Sequence, residues 1–129
     1  MTPEPGSCPF CTLPGARIER QSDLALALFD AYPVSEGHAL VIPRRHVESA
    51  ADLDEAELLE IWRLLAEMRK LIAQRSAPEG FNIGVNDGVA AGQTVRHVHF
   101  HLIPRYAGDL ADPRGGVRWV LPAKARYWE

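Results

Sequence analysis

Gly92-Gln93-Thr94-Val95-Arg96-His97-Val98-His99-Phe100-His101-Leu102-Ile103 is the stretch on which the reading of this chain turns. From His97 to Leu102 polar and apolar residues alternate, the two-residue period of a half-buried strand, and Pro104 closes the run. Residues two apart on a strand point the same way, about 6.5 to 7 Å apart, so His97, His99 and His101 are expected to share one face. Val98, Phe100 and Leu102 then share the other and pack under a helix. A core face favours aliphatic side chains and a solvated face has no need of imidazole, so three in a row point to chemistry. Two chemistries suit the row. Three histidines can hold a catalytic zinc that keeps an open position for water. Alternatively, a neutral imidazole attacks phosphorus while its neighbours orient it and bind phosphate oxygens. The loop in front favours the second. In residues 87–93, Gly88 and Gly92 permit close backbone approach, and free N–H groups there would form an anion-binding concavity. Gln93 and Thr94 add neutral hydrogen-bonding groups, and Arg96 and Arg105 add positive charge.

Working outward, Phe81, Ile83 and Val85 alternate with Asn82, Gly84 and Asn86, a second strand whose polar face includes Asn86. Before it, Leu58, Ile61, Trp62, Leu65, Met68 and Ile72 recur at three- and four-residue steps between Leu53 and Gln74, which predicts an amphipathic helix with this stripe in the core. Asp52 with Glu55 three residues on reads as its capping box, and Pro78 and Gly80 mark its far end. Two short apolar runs, Leu24 to Phe29 and Ala39 to Ile42, flank a link containing Pro33, Ser35 and Gly37, and are expected to pair as an antiparallel hairpin with a long loop. Residues 1–7 read as a flexible tail. Residues 106–129 carry little pattern: Val117 to Leu121 is the one strand-like piece, residues 122–129 read as a C-terminal tail, and Trp119, Tyr127 and Trp128 either close a site or pack.

The chain has 129 residues, 47% hydrophobic and 24% charged, which suits one soluble domain over residues 1–129 with a core that needs no stapling. Fourteen Lys and Arg against seventeen Asp and Glu give a net charge of −3, which argues against a nucleic-acid binder held by counterion release. The longest apolar run, Leu24 to Phe29, is far shorter than the ~20 residues of a membrane helix, and no secretory signal is visible. The expectation is therefore a cytoplasmic protein with no nucleic-acid and no membrane partner. The two cysteines, Cys8 and Cys11, stand two residues apart. That spacing admits a redox dithiol, a pair of free thiols, or half of a zinc site whose other ligands are histidines.

The stretch 92–103 resembles the signature of the histidine triad (HIT) family, in which three histidines alternate with apolar residues. The resemblance extends to Gly37-His38-Ala39-Leu40-Val41-Ile42-Pro43-Arg44-Arg45-His46, and residues 91–109 are similar to the fragile-histidine-triad branch. It runs from about Cys8 to Leu121. The resemblance implies an α+β, HIT-like fold: an antiparallel sheet of about five strands with one long helix and a short one, assembled as a two-fold homodimer. It implies nucleotide hydrolysis or nucleotidyl transfer on a purine nucleotide such as a diadenosine polyphosphate, cut at the α-phosphate through a covalent nucleotidyl-histidine. His99 falls at the nucleophile's position. His101 would bind phosphate oxygens or help the leaving group, and His38 would support the triad from behind. Asp30 would hold the ribose hydroxyls, Gln93 and Thr94 the phosphates, and Asn86 would face the same site. Zinc-containing bacterial relatives also imply a structural zinc on Cys8, Cys11, His46 and His97. Two other readings stay open: a zinc hydrolase whose triad histidines hold the catalytic metal, and a nucleotide-binding interaction protein without catalysis.

Overall fold

A computed structural model of the chain describes residues 7–129, so the tail expected over residues 1–7 falls, for residues 1–6, outside the described residues. Five strands, β1 (Ile18–Gln21), β2 (Ala25–Phe29), β3 (Ala39–Pro43), β4 (Gly80–Val85) and β5 (Phe100–Arg105), form one antiparallel sheet in the order β1-β2-β3-β5-β4. Helix α1 (Glu55–Ser76) crosses one face, over β2 and β3. This is the α+β arrangement expected, and β2 and β3 form the expected hairpin, with Ala25 opposite Pro43 and Phe29 opposite Ala39.

Alternation decides what each face carries. Ala25, Ala27, Ala39, Val41 and Leu102 turn toward α1, where the alanines let the helix approach and Ile61, Leu64, Leu65, Met68 and Ile72 fill the space. Leu26, Leu28, Leu40 and Ile42 turn the other way, where Phe10 and Leu13 of the N-terminal segment and Ile18 of β1 pack against them. Both faces of β2 and β3 are thus buried, which is why their sequences read as unbroken apolar runs.

The helix begins two residues later than its sequence pattern suggests. Asp54, not Asp52, is the N-cap: its side chain accepts from the Glu57 N–H, and the Glu57 carboxylate accepts from the Asp54 N–H in return. Glu57 is buried because Arg45 grips it through two N–H donors, at 2.6 and 3.2 Å. The expected core stripe is also corrected. Ile61, Leu65, Met68 and Ile72 are buried as expected and Leu64 joins them, but Trp62 is 62% exposed and Leu58 43% exposed. Chain direction reverses at Ala77, in the left-handed region at φ 50°, and Pro78 follows.

Only His101 of the three histidines lies inside β5. The β3–β5 ladder runs from Ala39↔Leu102 through Leu40↔His101 to Val41↔Phe100 and stops there. Beyond it Pro43 has no N–H to offer, its carbonyl accepts from the His97 ring, and the Val98 N–H turns instead to the Val47 carbonyl. The alternation survives this departure: Val98 and Leu102 lie in the helix-side core with Phe100 against it, and the imidazoles lie opposite.

Among the described residues α1 is the one α-helix; the short second helix is replaced by 3-10 turns. Val89–Ala91, for instance, is stopped at both ends by Gly88 and Gly92 at φ 97° and 96°, which no α-helix tolerates. Likewise Gly116–Val120 is a 3-10 turn, not a strand, because Gly115 in front of it and Gly116 at its start take positive φ.

Met68→Ala is expected to cost about 2–5 kcal/mol, because the side chain is fully enclosed, whereas Trp62→Ala should cost under about 1 kcal/mol. Urea unfolding of the two variants measures both; a larger loss at Trp62 would mean that its outward face is covered in solution.

Candidate active site and metal centre

His38 stands one residue before β3 and His101 in the middle of β5, and the β3–β5 register brings them together on the face away from α1. Their rings meet through His38 Nε2 and His101 Nδ1, 3.0 Å apart. The Val34 N–H donates to His38 Nδ1, at 3.1 Å. That nitrogen must therefore be the acceptor, so a neutral His38 carries its proton on Nε2 and donates it to His101 Nδ1. His101 then carries its own proton on Nε2, on the far side of its ring. Asp30 Oδ2 lies 3.5 Å from His38 Nε2, near enough for its charge to favour a proton there, while Asp30 Oδ1 accepts from the Tyr32 N–H. Burial pushes His38 below the ordinary imidazole value against the pull of Asp30. It pushes His101 down to about 4, helped by the neighbouring His99 and His38. Both rings are neutral near pH 7.

His99 is fixed from its own backbone. Its Nδ1 lies 2.8 Å from the His97 carbonyl oxygen, which can only accept, so the proton sits on Nδ1 and the Nε2 lone pair is left free. The ring is 9% exposed, packed edge-on against Phe10 and against His101, with centroids 5.1 and 5.2 Å away. Phe10 was not legible as a site residue, since it stands between the two cysteines with no periodicity to mark it. The arrangement sets a ring with its lone pair on Nε2 next to a neutral ring that keeps an N–H, which suits attack on an electrophilic phosphorus whose oxygens need a donor.

His97 faces a different centre. Its Nε2 donates to the Pro43 carbonyl at 2.7 Å, so Nδ1 bears the lone pair, and that atom lies 3.5 Å from the sulphurs of both Cys8 and Cys11. His46 Nδ1 lies 3.2 Å from the Cys11 sulphur. The four donor atoms fall within 4.8 Å of one another. Tetrahedral zinc with Zn–S of ~2.3 Å and Zn–N of ~2.0 Å sets sulphur and nitrogen ligands about 3.5 Å apart, so the donor set fits that ion. One further feature agrees. Without a cation, burial and the adjacent Cys8 push the Cys11 thiol up to about 11, whereas a cation at the centre would keep both sulphurs as thiolates. The His46 loop is anchored by its neighbours: Arg44 donates to the Ser22 carbonyl and Gln21, and Arg45 to Glu57. The three triad histidines do not converge on one point; His97 joins the cysteines, and His101 groups with Asp30 and His38.

The loop over residues 87–93, expected to offer free N–H groups to an anion, differs from expectation. N–H groups of Gly88, Ala91, Gly92 and Gln93 are all engaged within the loop. Gln93 is buried, its amide donating to the Glu48 and Val95 carbonyls and accepting from the Gly88 N–H, so it shapes the loop from within. Thr94 is exposed at the loop's end. Nor do the two arginines bring net charge, since Arg96 is paired with Glu48 and Arg105 with Asp109. Asn86, by contrast, lines a cleft of about 600 Å³ together with His38, His101 and Asn82. Trp119, Tyr127 and Trp128 pack within the C-terminal segment, beneath the guanidinium groups of Arg126, Arg118 and Arg114. No helix among the described residues is long and apolar enough to cross a membrane.

Known proteins resemble this chain over most of its length. The family model described as HIT domain matches residues 16–108. The bis(5'-nucleosyl)-tetraphosphatase [asymmetrical] of Schizosaccharomyces pombe is 37% identical over 98 residues, covering 76% of this chain and 54% of that protein, so the chain spans about half its length. The adenosine 5'-monophosphoramidase of the same yeast is 38% identical over 103 residues, covering 77% of this chain and 74% of that protein. A solved structure, a Zn-bound histidine triad family protein from Mycobacterium smegmatis, superposes with a TM-score of 0.74 at 31% identity, over 84% of this chain and 82% of that one.

A buried, neutral His101 makes stability depend on pH. Its ordinary value of 6.5 falls to about 4 on folding, so between those values the unfolded chain binds more protons and stability drops as the solution is acidified. Denaturant midpoints from pH 7 to 4 should show this decline, and His101→Gln should make it shallower. An unchanged slope in the variant would mean that the ring is protonated in the folded protein.

Proposed function

The chain belongs to the HIT family, and from that membership we propose that it is a nucleotide-processing enzyme acting at the α-phosphate of a dinucleoside polyphosphate or another nucleotide conjugate. One observation carries the reading: the His97 carbonyl takes the Nδ1 proton of the His99 ring, which turns Nε2 into its lone-pair nitrogen, and the ring of a neutral His101 lies 5.2 Å away, centroid to centroid. In the proposed reaction His99 Nε2 forms a bond to the α-phosphorus as the bond from phosphorus to the bridging atom of the leaving group breaks. The electron pair departs with that group. His101 donates to a phosphate oxygen or to the departing atom, and His38 with Asp30 keeps it in the donating tautomer. Water then attacks the phosphorus and releases the nucleoside monophosphate, with the N–P bond breaking and His99 restored; a phosphate in place of water would make the same chemistry a transfer. Asp30 is proposed to accept from the ribose hydroxyls and Asn86 to line the site, with Gln93 and Thr94 shaping and ending the loop near the phosphates.

Zinc is proposed on Cys8, Cys11, His46 and His97 as a structural ion. When bound it would supply a fixed tetrahedral cross-link between the N-terminal segment and the histidine stretch. The chain's own His97 carbonyl still orients His99. A two-fold homodimer is proposed as well, supported by β4, which lies at an edge of the sheet where another strand can pair.

Intact mass after brief mixing with a diadenosine polyphosphate or adenosine phosphoramidate should show one added adenylate on the wild type and none on His99→Ala, with turnover lost by about 10³-fold or more. Turnover that survives in His99→Ala without an adduct would overturn the covalent reading. Native mass spectrometry should show two chains with about one zinc each, and Cys11→Ser should lose the metal. A metal-free monomer from zinc-supplemented preparation would remove both structural proposals.

A further inference from the structure

A bond between two neutral imidazoles can run in either sense, and the His38–His101 pair is such a bond. With the proton on His38 Nε2, His101 keeps its own proton on the nitrogen that faces away. With the sense reversed, that nitrogen carries a lone pair and has nothing to give a phosphate oxygen. The Val34 N–H selects the first sense from 3.1 Å, because a proton on His38 Nδ1 would meet it donor to donor. Asp30 adds to the preference from 3.5 Å. Yet residues 31–34 and Glu36 are exposed, and the Val34 side chain is 70% exposed. Burial therefore does not hold that N–H in place, and something else in the loop must.

Two hydroxyls hold it. Ser35 Oγ donates to the Pro104 carbonyl and the Tyr106 hydroxyl donates to the Glu36 carbonyl, each at 2.7 Å. Both bonds lead to the strand that carries His101, since Pro104 lies in β5 and Tyr106 directly follows it. Close approach at this point is built in: Gly37 takes φ 88°, and a Cβ there would lie 3.0 Å from Ile72 Cγ2 and 3.4 Å from Pro104 Cγ. The His38 N–H in turn donates to the Ser35 carbonyl at 3.2 Å, so the pinned turn ends on the histidine itself. A closed frame results. It runs from His101 along β5 to Pro104 and Tyr106, across to Ser35 and Glu36, and back through the Val34 N–H and His38 to His101. We propose that Ser35 and Tyr106 are positioning residues that keep the Val34 N–H on His38 Nδ1 and so make His101 the donor of the pair. For its effect on turnover the proposal rests on the reaction proposed above; its effect on the histidines needs no substrate.

Ser35→Ala and Tyr106→Phe each remove one hydroxyl and keep the rest of the side chain. They free adjacent residues of one loop, so their effects should be more than additive. Long-range proton–nitrogen correlation spectra near pH 7 tell a protonated ring nitrogen from an unprotonated one. They should show His38 protonated on Nε2 in the wild type and a mixture of Nε2–H and Nδ1–H forms in the double variant, with a smaller shift in each single variant. In the double variant kcat for diadenosine tetraphosphate should fall about tenfold with KM within about twofold, the mark of a donor lost from the transition state. A lower kcat with the His38 tautomer unmoved would overturn the proposal, as would a moved tautomer with kcat unchanged. Should the double variant fail to fold, the two single variants carry the same test. The adenylate adduct on wild-type protein reports separately on the reaction. An adduct with the tautomer unmoved in the variants removes the positioning role alone, whereas a moved tautomer without any wild-type adduct removes the reaction and leaves the two hydroxyls setting the sense of the bond.

Discussion

Antiparallel pairing of β3 with β5 governs where each histidine goes. Setting Leu40 opposite His101 puts His38, two residues earlier on the same side, against the His101 ring. The same ladder ends at Val41 and Phe100, and this lets the chain leave the sheet at His99. With no N–H at Pro43, its carbonyl is free to take the His97 ring. A slip of one residue would send His101 into the helix-side core and Leu102 into the cleft. Packing against α1 resists that slip, because Leu102 is fully buried there among alanines and the side chains of the helix.

Backbone groups then do the work that a buried carboxylate performs in many hydrolytic sites. The Val34 N–H and the His97 carbonyl are opposite in sense, a donor and an acceptor, and each fixes one ring. From the donor a chain of bonds runs through His38 to leave His101 presenting N–H; from the acceptor a single bond leaves His99 presenting a lone pair. Burial favours the neutral forms of His38 and His101, so the bond between them persists near neutral pH. Asp30 supports it without becoming part of a charged pair, since His38 stays unprotonated.

Much of this was legible in the sequence. Alternation gave the two faces of the histidine stretch, and the family resemblance, where the cysteine spacing alone left three readings open, named Cys8, Cys11, His46 and His97, the four donors that the fold brings together from three separate segments. Where the reading failed, local patterns were degenerate. Asp52-x-x-Glu55 and Asp54-x-x-Glu57 are the same capping box two residues apart, and Arg45, distant in sequence, selects the second by binding Glu57. Three- and four-residue steps fit Trp62 as well as Leu64, and only the alanine floor of the sheet decides which points inward. In the glycine loop the sequence shows donors but not their partners; Gln93 reads as a ligand contact until its amide is found bonded to three main-chain groups.

His97 ties the two centres together through one residue with three polar groups in use. Its Nδ1 faces the sulphurs, its Nε2 is held by Pro43, and its carbonyl orients His99. A metal at the cysteines would therefore act on catalysis only through the position of this backbone segment, with no need to touch substrate. The Pro43 bond already orients the ring in the absence of an ion, so the metal's contribution would fall mainly on the N-terminal segment that carries Cys8, Phe10 and Cys11. Phe10 packs against the edge of the His99 ring, so the order of that segment bears on how well the proposed nucleophile is shielded from water. On this argument the cysteines earn their place by holding Phe10 against the ring as much as by holding His97.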